Sequence, residues 1–234
     1  MITVNNLTKK YGSLLALKEI NVNIPKGSLT FLVGPNASGK TTLIKSLLGL
    51  IKPTSGSIVI DGIMLNGDYE YRRKIGYVSQ IANFPENLTV EEVFRMVKEL
   101  REKENDYDEE LISNFELEKE FGKRLKNLSG GTQQKVNVAV AFLFNPQIII
   151  LDEPTAGLDP VASSLLKDKI RKENKNGKTI IFTSHILSEI EEMAENIIFL
   201  LEGNIYFDGT IKELIQSTGK HNLERAVASI MKRN

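Results

Sequence analysis

The glycine-rich stretch at residues 34–42 constrains this chain more than any other part of its sequence. It reads Gly-Pro-Asn-Ala-Ser-Gly-Lys-Thr-Thr and fits G-x-x-x-x-G-K-[ST], the loop whose backbone N–H groups surround a phosphate group. An apolar run typical of a buried strand precedes it at residues 29–33, and residues 41–48 follow with helical apolar spacing. A strand, this loop and a helix predict a nucleoside triphosphate site, because converging N–H groups and the positive end of a helix favour negative charge.

The residue types within the loop predict how it holds a triphosphate. Gly34 and Gly39 allow the backbone to approach the phosphates closely. Lys40 can reach the β- and γ-phosphates, and the Thr41 hydroxyl can bind Mg²⁺. The residues expected to contact the nucleotide here are Gly34, Pro35, Asn36, Ala37, Ser38, Gly39, Lys40, Thr41 and Thr42.

Composition excludes several other classes of function. The 30 basic residues are balanced by 30 acidic ones, so the basic excess of a nucleic-acid binder is missing and we expect no nucleic-acid partner. The sequence has no Cys, which rules out disulfides, thiolate metal sites and a cysteine nucleophile. Neither a signal peptide nor an apolar stretch approaching ~20 residues is found, so we expect a cytoplasmic protein that reaches a membrane only through a partner.

The order of apolar patterns predicts an α/β fold, with N-terminal antiparallel strands, a doubly wound and mainly parallel sheet, and an inserted helical subdomain. Residues 17–24 alternate apolar and polar as a half-buried antiparallel strand does. Residues 148–151 are all apolar and β-branched or Leu, the pattern of a central parallel strand. Residues 81–127 are mainly helical in pattern, with a capping box at residues 89–92.

These patterns predict a single domain spanning residues 1–234. Its core comprises residues 1–80 and 148–234, and its helical subdomain comprises residues 81–147.

Three predicted strands end on polar side chains, namely Gln80, the pair Asp152 and Glu153, and His185. In a doubly wound sheet the ligand lies outside the carboxyl ends of the strands, so these side chains should surround the phosphates. Asp152 follows four apolar residues and is suited to bind Mg²⁺, while Glu153 can accept a proton from water attacking the γ-phosphate. Taken alone, the acidic pair could be a helix cap or an ion pair, and His185 a structural histidine.

Residues 128–132, Leu-Ser-Gly-Gly-Thr, resemble the signature motif of ABC-type ATPases, the nucleotide-binding subunits of ABC transporters. The resemblance covers essentially the whole chain and implies an Mg²⁺-dependent ATPase with a P-loop NTPase fold. It assigns Walker A to residues 34–41, Walker B to residues 148–152 and the D-loop to residues 156–159. It further implies that Tyr11, which falls in a turn-like segment, stacks on adenine. Gln80 is then the Q-loop glutamine, Glu153 the catalytic base and His185 the switch histidine. The residues that the resemblance assigns to Mg²⁺ binding are Thr41, Gln80 and Asp152.

The resemblance also implies an assembly. In this family Ser129, Gly130 and Gly131 contact the γ-phosphate held by the opposite subunit, so the active unit is a head-to-tail dimer, expected here to be a homodimer, enclosing two ATP molecules. Two such subunits bind an integral membrane transporter subunit at the inner face of the cell membrane, and residues 81–127 resemble the part that grips it. The alternative function is that of a soluble ABC ATPase, such as the iron–sulfur assembly type. The sequence does not identify the cargo or the direction of its transport.

Two residues depart from the family pattern. Thr132 replaces the commoner glutamine of the signature, and Ala37 stands where glycine is frequent, which costs strain if that position needs a positive φ. A narrower resemblance, carried by residues 80–85 and 128–135, is to the subunits that serve maturation of nitrous oxide reductase, a copper enzyme.

Overall fold

A computed structural model of the protein describes residues 1–67, 69–101 and 107–231. Both strands and helices are present in these residues. The strands are β1 (Ile2–Tyr11), β2 (Leu14–Ile24), β3 (Leu29–Val33), β4 (Ser55–Ile60), β5 (Ile63–Met64), β6 (Ile75–Val78), β7 (Ile148–Asp152), β8 (Thr179–Thr183), β9 (Asn196–Leu201) and β10 (Asn204–Gly209). The α-helices are α1 (Lys40–Leu47), α2 (Val90–Glu99), α3 (Glu110–Asn114), α4 (Gly130–Phe142), α5 (Pro160–Lys175), α6 (Leu187–Met193), α7 (Ile211–Thr218) and α8 (Leu223–Met231).

The chain folds into two compact units, the first formed by residues 1–72 and 179–234. In this unit β1 pairs antiparallel with both β2 and β4, and β5 extends that sheet. A second set of strands has the order β10-β9-β3-β8, in which β3 runs parallel to both of its neighbours. Every residue of β3 and β8 is buried, and the rings of Phe31 and Phe182 stack with their centroids 4.7 Å apart. These buried strands fix the start of the loop that follows β3.

The second unit, residues 73–178, contains β6 and β7 paired in parallel. The chain between these strands forms α2, α3 and α4, together with short 3-10 helices at Leu117–Glu120 and Leu125–Asn127. Thr89 caps α2 by the predicted capping box, in which its hydroxyl accepts from the Glu92 N–H and the Glu92 carboxylate accepts from the Thr89 N–H. All five residues of β7 are buried, as the apolar run predicts.

The predicted fold class is confirmed, including the antiparallel N-terminal strands and the helices inserted between β6 and β7. One local prediction is wrong. Tyr11 is not in a turn, because β1 continues through residues 9–11 by pairing with β2, and the turn falls instead at Gly12, whose φ is +56°. No helix within the described residues is long and apolar enough to cross a membrane.

Candidate nucleotide site

The glycine loop of the first unit connects β3 to α1, as the motif requires. A side chain at Gly34 is impossible, because a Cβ there would lie 2.0 Å from the carbonyl oxygen of Leu200. Gly39 has a φ of +110°, and a Cβ there would lie 2.7 Å from the carbonyl oxygen of Ala16. Both glycines are therefore needed for the loop to pack against its own unit.

The polar groups of this loop fit an anion. The Lys40 ammonium donates to the carbonyl oxygens of Gly34 and Pro35, at 2.7 and 2.9 Å, which holds a positive charge against the loop. Ser38 Oγ is buried and has no hydrogen-bond partner among the described residues, although a buried hydroxyl normally has one. Helix α1 begins without a side-chain cap and without an acidic residue in its first turn, so its N–H groups can receive a phosphate.

Ala37 has the positive φ that would strain a residue other than glycine at this position of the motif. Its φ is +62°, a left-handed conformation that costs an L-residue roughly 1–2 kcal/mol. The side chain is exposed, so the strain is in the backbone and not in packing.

Tyr11 and His185 also lie in the first unit, and both are exposed. Tyr11 is 45% exposed, and the Lys9 ammonium lies over one face of its ring, 4.9 Å from the ring centroid. The segment after β8 is held by Ser184, whose hydroxyl donates to Glu189 at 2.7 Å and accepts from the Ile186 N–H at 3.0 Å. This local network fixes the backbone on either side of His185.

In the second unit, Asp152 and Glu153 occupy the end of β7 in two different environments. Asp152 is buried and Glu153 is half-buried. Glu153 has a φ of +51°, a strained conformation of the kind that persists at functional sites. The Gln80 side-chain amide donates to Glu153 Oε2 at 3.3 Å, so the structure brings these two predicted residues together. Burial and the charge of Asp152 raise the pKa of Tyr77 to about 12.

The signature residues of the second unit lie at the start of α4. Ser129 is exposed and caps the helix, its hydroxyl accepting from the Thr132 N–H at 3.2 Å and lying 2.8 Å from the Thr132 hydroxyl. Thr132 thus supports Ser129 in place of the commoner glutamine. A Cβ at Gly131 would lie 2.6 Å from the carbonyl oxygen of Gly157, so this position has no room for a side chain.

Helix α4 also binds the D-loop through an ion pair that the sequence analysis did not identify. The Lys135 ammonium lies 2.7 Å from the Asp159 carboxylate. This bond, together with the N–H of Ala162, lowers the pKa of Asp159, which caps α5. Lys135 lies seven residues after the start of the signature, and no local sequence pattern indicates that it pairs with Asp159.

Two buried amides on α4, those of Gln134 and Asn137, were likewise missed. The signal that could have found Asn137 is a single amide within the otherwise apolar run of residues 136–142.

The predicted site residues therefore divide between the two units. The first holds Tyr11, the glycine loop and His185, and the second holds Gln80, Asp152, Glu153 and the signature residues. Each unit also supplies oxygen donors that Mg²⁺ prefers, the exposed Thr41 hydroxyl in one and the Asp152 carboxylate and Gln80 amide oxygen in the other.

Comparison with known proteins decides the family. A family model described as ABC transporter matches residues 17–156. The chain belongs to the ABC transporter family. Lantibiotic transport ATP-binding protein SrtF of Streptococcus pyogenes is 35% identical over 226 residues, which cover 96% of this chain and 94% of that protein.

Solved structures of ABC transporter cassettes agree with this assignment. One described as an ATP-binding subunit of an ABC transporter aligns with a TM-score of 0.89 at 28% identity, over 99% of both chains. The dimeric cassette MJ0796, solved in a post-hydrolysis state with ADP and Pi, aligns with a TM-score of 0.80 at 32% identity, over 90% of this chain and 98% of that one. The present chain is accordingly an ATP-binding and ATP-hydrolysing subunit of an ABC transporter, with the P-loop NTPase fold.

Proposed function

We propose that this subunit hydrolyses MgATP with Glu153 as the general base and Gln80, Lys40 and His185 as supporting groups. The observation that carries the proposal is the contact between Gln80 and Glu153 at the end of a buried strand, 3.3 Å apart. The attacking water forms a bond to the γ-phosphorus while its proton passes to Glu153, and the bond to the bridging oxygen breaks with its electron pair leaving on ADP. Glu153 is half-buried, whereas the preceding Asp152 is buried.

The glycine loop holds the nucleotide in this proposal. Ser38 Oγ and the uncapped start of α1 supply donors for phosphate oxygens, and the Lys40 ammonium exchanges its loop carbonyls for the β- and γ-phosphates. Tyr11 stacks on the adenine ring. His185, exposed in the segment that follows β8, contacts the γ-phosphate.

Mg²⁺ fits the donor set as a cofactor, with Thr41, Gln80 and Asp152 as the residues that hold it. Bound Mg²⁺ neutralises the negative charge that develops on the phosphates during transfer. Asp152 supports this assignment, because it is buried at the end of β7 and carboxylate oxygens are ligands that Mg²⁺ prefers.

The active unit in this proposal is a head-to-tail homodimer in which each subunit's Ser129, Gly130 and Gly131 contact the nucleotide of the other. Ser129 supports this role because it is exposed at the start of α4, a helix of 13 residues. The similarity to a cassette that was solved as a dimer is consistent with it.

A membrane subunit is the proposed partner, bound on the cytoplasmic side of the membrane through the segment after Gln80. Ile81 in this segment is 70% exposed, and Phe84 is half-buried. The second unit also carries an open apolar cavity of about 220 Å³, lined by the side chains of Tyr77, Val97, Leu100, Arg101 and Phe144, among others. Exposed apolar surface of this kind is typical of a protein interface.

Two finer identities receive no support. The narrower resemblance to subunits of nitrous oxide reductase maturation is not matched by the relative reported above, which is named for lantibiotic transport. The soluble alternative is not favoured either, because that relative is named as a transport ATP-binding protein.

The test is Glu153→Gln, which removes the base and keeps the shape of the side chain. Hydrolysis should fall by ~10²–10⁴-fold. MgATP should still bind, and the variant should elute as a dimer in gel filtration with MgATP, because hydrolysis is what reopens the pair. Turnover at the wild-type rate would show that Glu153 is not the base.

A further inference from the structure

Two buried amides lie on α4, Gln134 and Asn137, and we refer to them as the amide pair. Each is 5% exposed, and each lies one or more turns beyond Ser129 at the start of the helix. An amide taken out of water costs free energy unless it is hydrogen-bonded, so a buried pair must have defined partners. Apolar neighbours surround Asn137 in the sequence, since Val136 and Val138 are fully buried.

The amide pair binds two backbone carbonyls that belong to different segments of the second unit. Asn137 Nδ2 donates to the carbonyl oxygen of Ser79 at 2.9 Å and to Gln134 Oε1 at 3.2 Å. Gln134 Nε2 in turn donates to the carbonyl oxygen of Pro154 at 3.0 Å. Both acceptors of Asn137 are oxygens, and its NH₂ group, which has two donors, satisfies them at once.

These two carbonyls adjoin the residues proposed to act on the attacking water. Ser79 directly precedes Gln80, and Pro154 directly follows Glu153. The Gln80 amide and the Glu153 carboxylate then meet at 3.3 Å. A closed circuit, made of four hydrogen bonds and of the chain links Ser79–Gln80 and Glu153–Pro154, therefore joins Glu153, Gln80, Ser79, the amide pair and Pro154.

Glu153 needs such support because its φ of +51° is a conformation that a non-glycine residue keeps only when its surroundings impose it. Gln134 fixes the backbone immediately after Glu153, and Asn137 fixes the backbone immediately before Gln80. Two hydrogen bonds from one helix thus hold the backbone beside both functional side chains.

We infer that Asn137 is a positioning residue for ATP hydrolysis, which acts through Gln80 by holding the Ser79 carbonyl and orienting Gln134. The inference rests on the proposed roles of Gln80 and Glu153. It assigns Asn137 no contact with ATP or Mg²⁺, so its removal should change turnover and not nucleotide binding.

The test is a double-mutant cycle that combines Asn137→Ala with Gln80→Ala. Asn137→Ala alone should lower kcat about 10-fold, which corresponds to about 1.4 kcal/mol, while the dissociation constant for MgATP stays within about 2-fold. In the Gln80→Ala background, the same substitution should lower kcat by less than about 2-fold, because the residue it acts through is already gone.

Gln133→Ala is the matched control. Gln133 lies on the same helix and its amide also donates to a backbone carbonyl, that of Leu125 at 2.9 Å, but it is outside the circuit. This variant should leave kcat within about 2-fold in both backgrounds. Thermal unfolding of every variant is followed by circular dichroism, and Asn137→Ser replaces Asn137→Ala if the latter does not fold, because a single hydroxyl donor satisfies at most one of the two acceptors.

The outcomes separate this inference from the proposed function. If Gln80→Ala and Glu153→Gln lower kcat but Asn137→Ala does not, or lowers it equally in both backgrounds, Asn137 has only a packing role and the inference is wrong. If Gln80→Ala and Glu153→Gln both leave kcat unchanged, the proposed roles fail and the inference fails with them.

Discussion

Lys169 provides a quantitative test of what holds the second unit together. Its side chain is 2% exposed, and its ammonium pairs with three carboxylates: Asp108, Glu110 at 2.7 Å and Glu173 at 2.8 Å. Glu173 is buried as well, and its other carboxylate oxygen pairs with Lys178. Lys169 of helix α5 is thereby joined to Asp108, which precedes α3, and to Glu110, the first residue of α3.

Replacing Lys169 by Met keeps the aliphatic stem and removes only the charge. The three carboxylates then lose their common cation, and Glu173 retains Lys178 alone. Breaking a buried ion pair by removing one partner typically costs ~3–5 kcal/mol, so we expect the free energy of unfolding to fall by this amount. The control is Lys172→Met, whose side chain is 57% exposed and pairs with Glu110 at 2.8 Å. Exposed pairs contribute about 0–1 kcal/mol.

The pH dependence of this difference has a defined sign. Burial alone would raise the pKa of Glu173, but hydrogen bonds from Lys169 and Lys178 outweigh it and lower that pKa. A lowered carboxyl pKa stabilises the folded state above the unfolded value, about 4.3 for Glu, and the contribution is lost as the pH falls through the folded value. The deficit of Lys169→Met should therefore be largest near pH 7 and should shrink below about pH 4.

The assay is urea unfolding followed by circular dichroism, since the chain has no Trp to report by fluorescence. Wild type, Lys169→Met and Lys172→Met are compared at pH 7 and at acid pH. Equal midpoints for the two variants at pH 7, or a deficit that grows on acidification, would refute the reasoning.

Two further predictions concern the assembly. A Lys40→Ala subunit mixed with a Ser129→Arg subunit should recover ATPase activity, because one of the two sites in the mixed dimer is intact. Each variant alone should be nearly inactive. An inactive mixture in which mixed dimers are shown to form would contradict the head-to-tail arrangement. Phe84→Asp should leave the ATPase activity of the isolated subunit unchanged but weaken its pull-down with the cognate membrane subunit by at least ~10-fold, because an unpaired charge is costly in an interface. Asn83→Asp, which adds the same charge at an exposed neighbour, is the control, and undiminished binding by a folded Phe84→Asp would remove this loop from the interface.

The parts of the site that could be predicted from sequence are those determined by neighbouring residues. The glycine loop is recognisable because the strand before it and the helix after it lie within a few residues of the motif. Asp152 is similarly predictable, since four buried apolar residues carry the chain directly to it. The motif also indicated that Ala37 would be strained if its position needs a positive φ, and its φ in the structure is +62°.

The features that could not be predicted depend on residues far apart in the chain. Lys169 reads as one more lysine in a charged helix, and its partner Asp108 is 61 residues away. Asn137 and Ser79 are 58 residues apart, and no local pattern indicates that one donates to the other. Tyr11 falls in a turn-like segment of the sequence, yet pairing with β2 extends the strand through it. In each case a tertiary contact decides what a local pattern leaves open.

Helix α4 carries the residues that make several of these contacts. Ser129 at its start is proposed to bind the partner's nucleotide, Lys135 holds the D-loop through Asp159, and the amide pair holds the carbonyls beside Gln80 and Glu153. A helix rises 1.5 Å per residue, so Ser129 and Asn137 are about 12 Å apart along one rigid element. Apolar side chains at positions 134 and 137 would pack in the same space, but they would let the helix shift without moving either carbonyl. Hydrogen bonds are directional, so the amide pair resists a displacement of α4 relative to the carbonyls of Ser79 and Pro154 more than apolar side chains would.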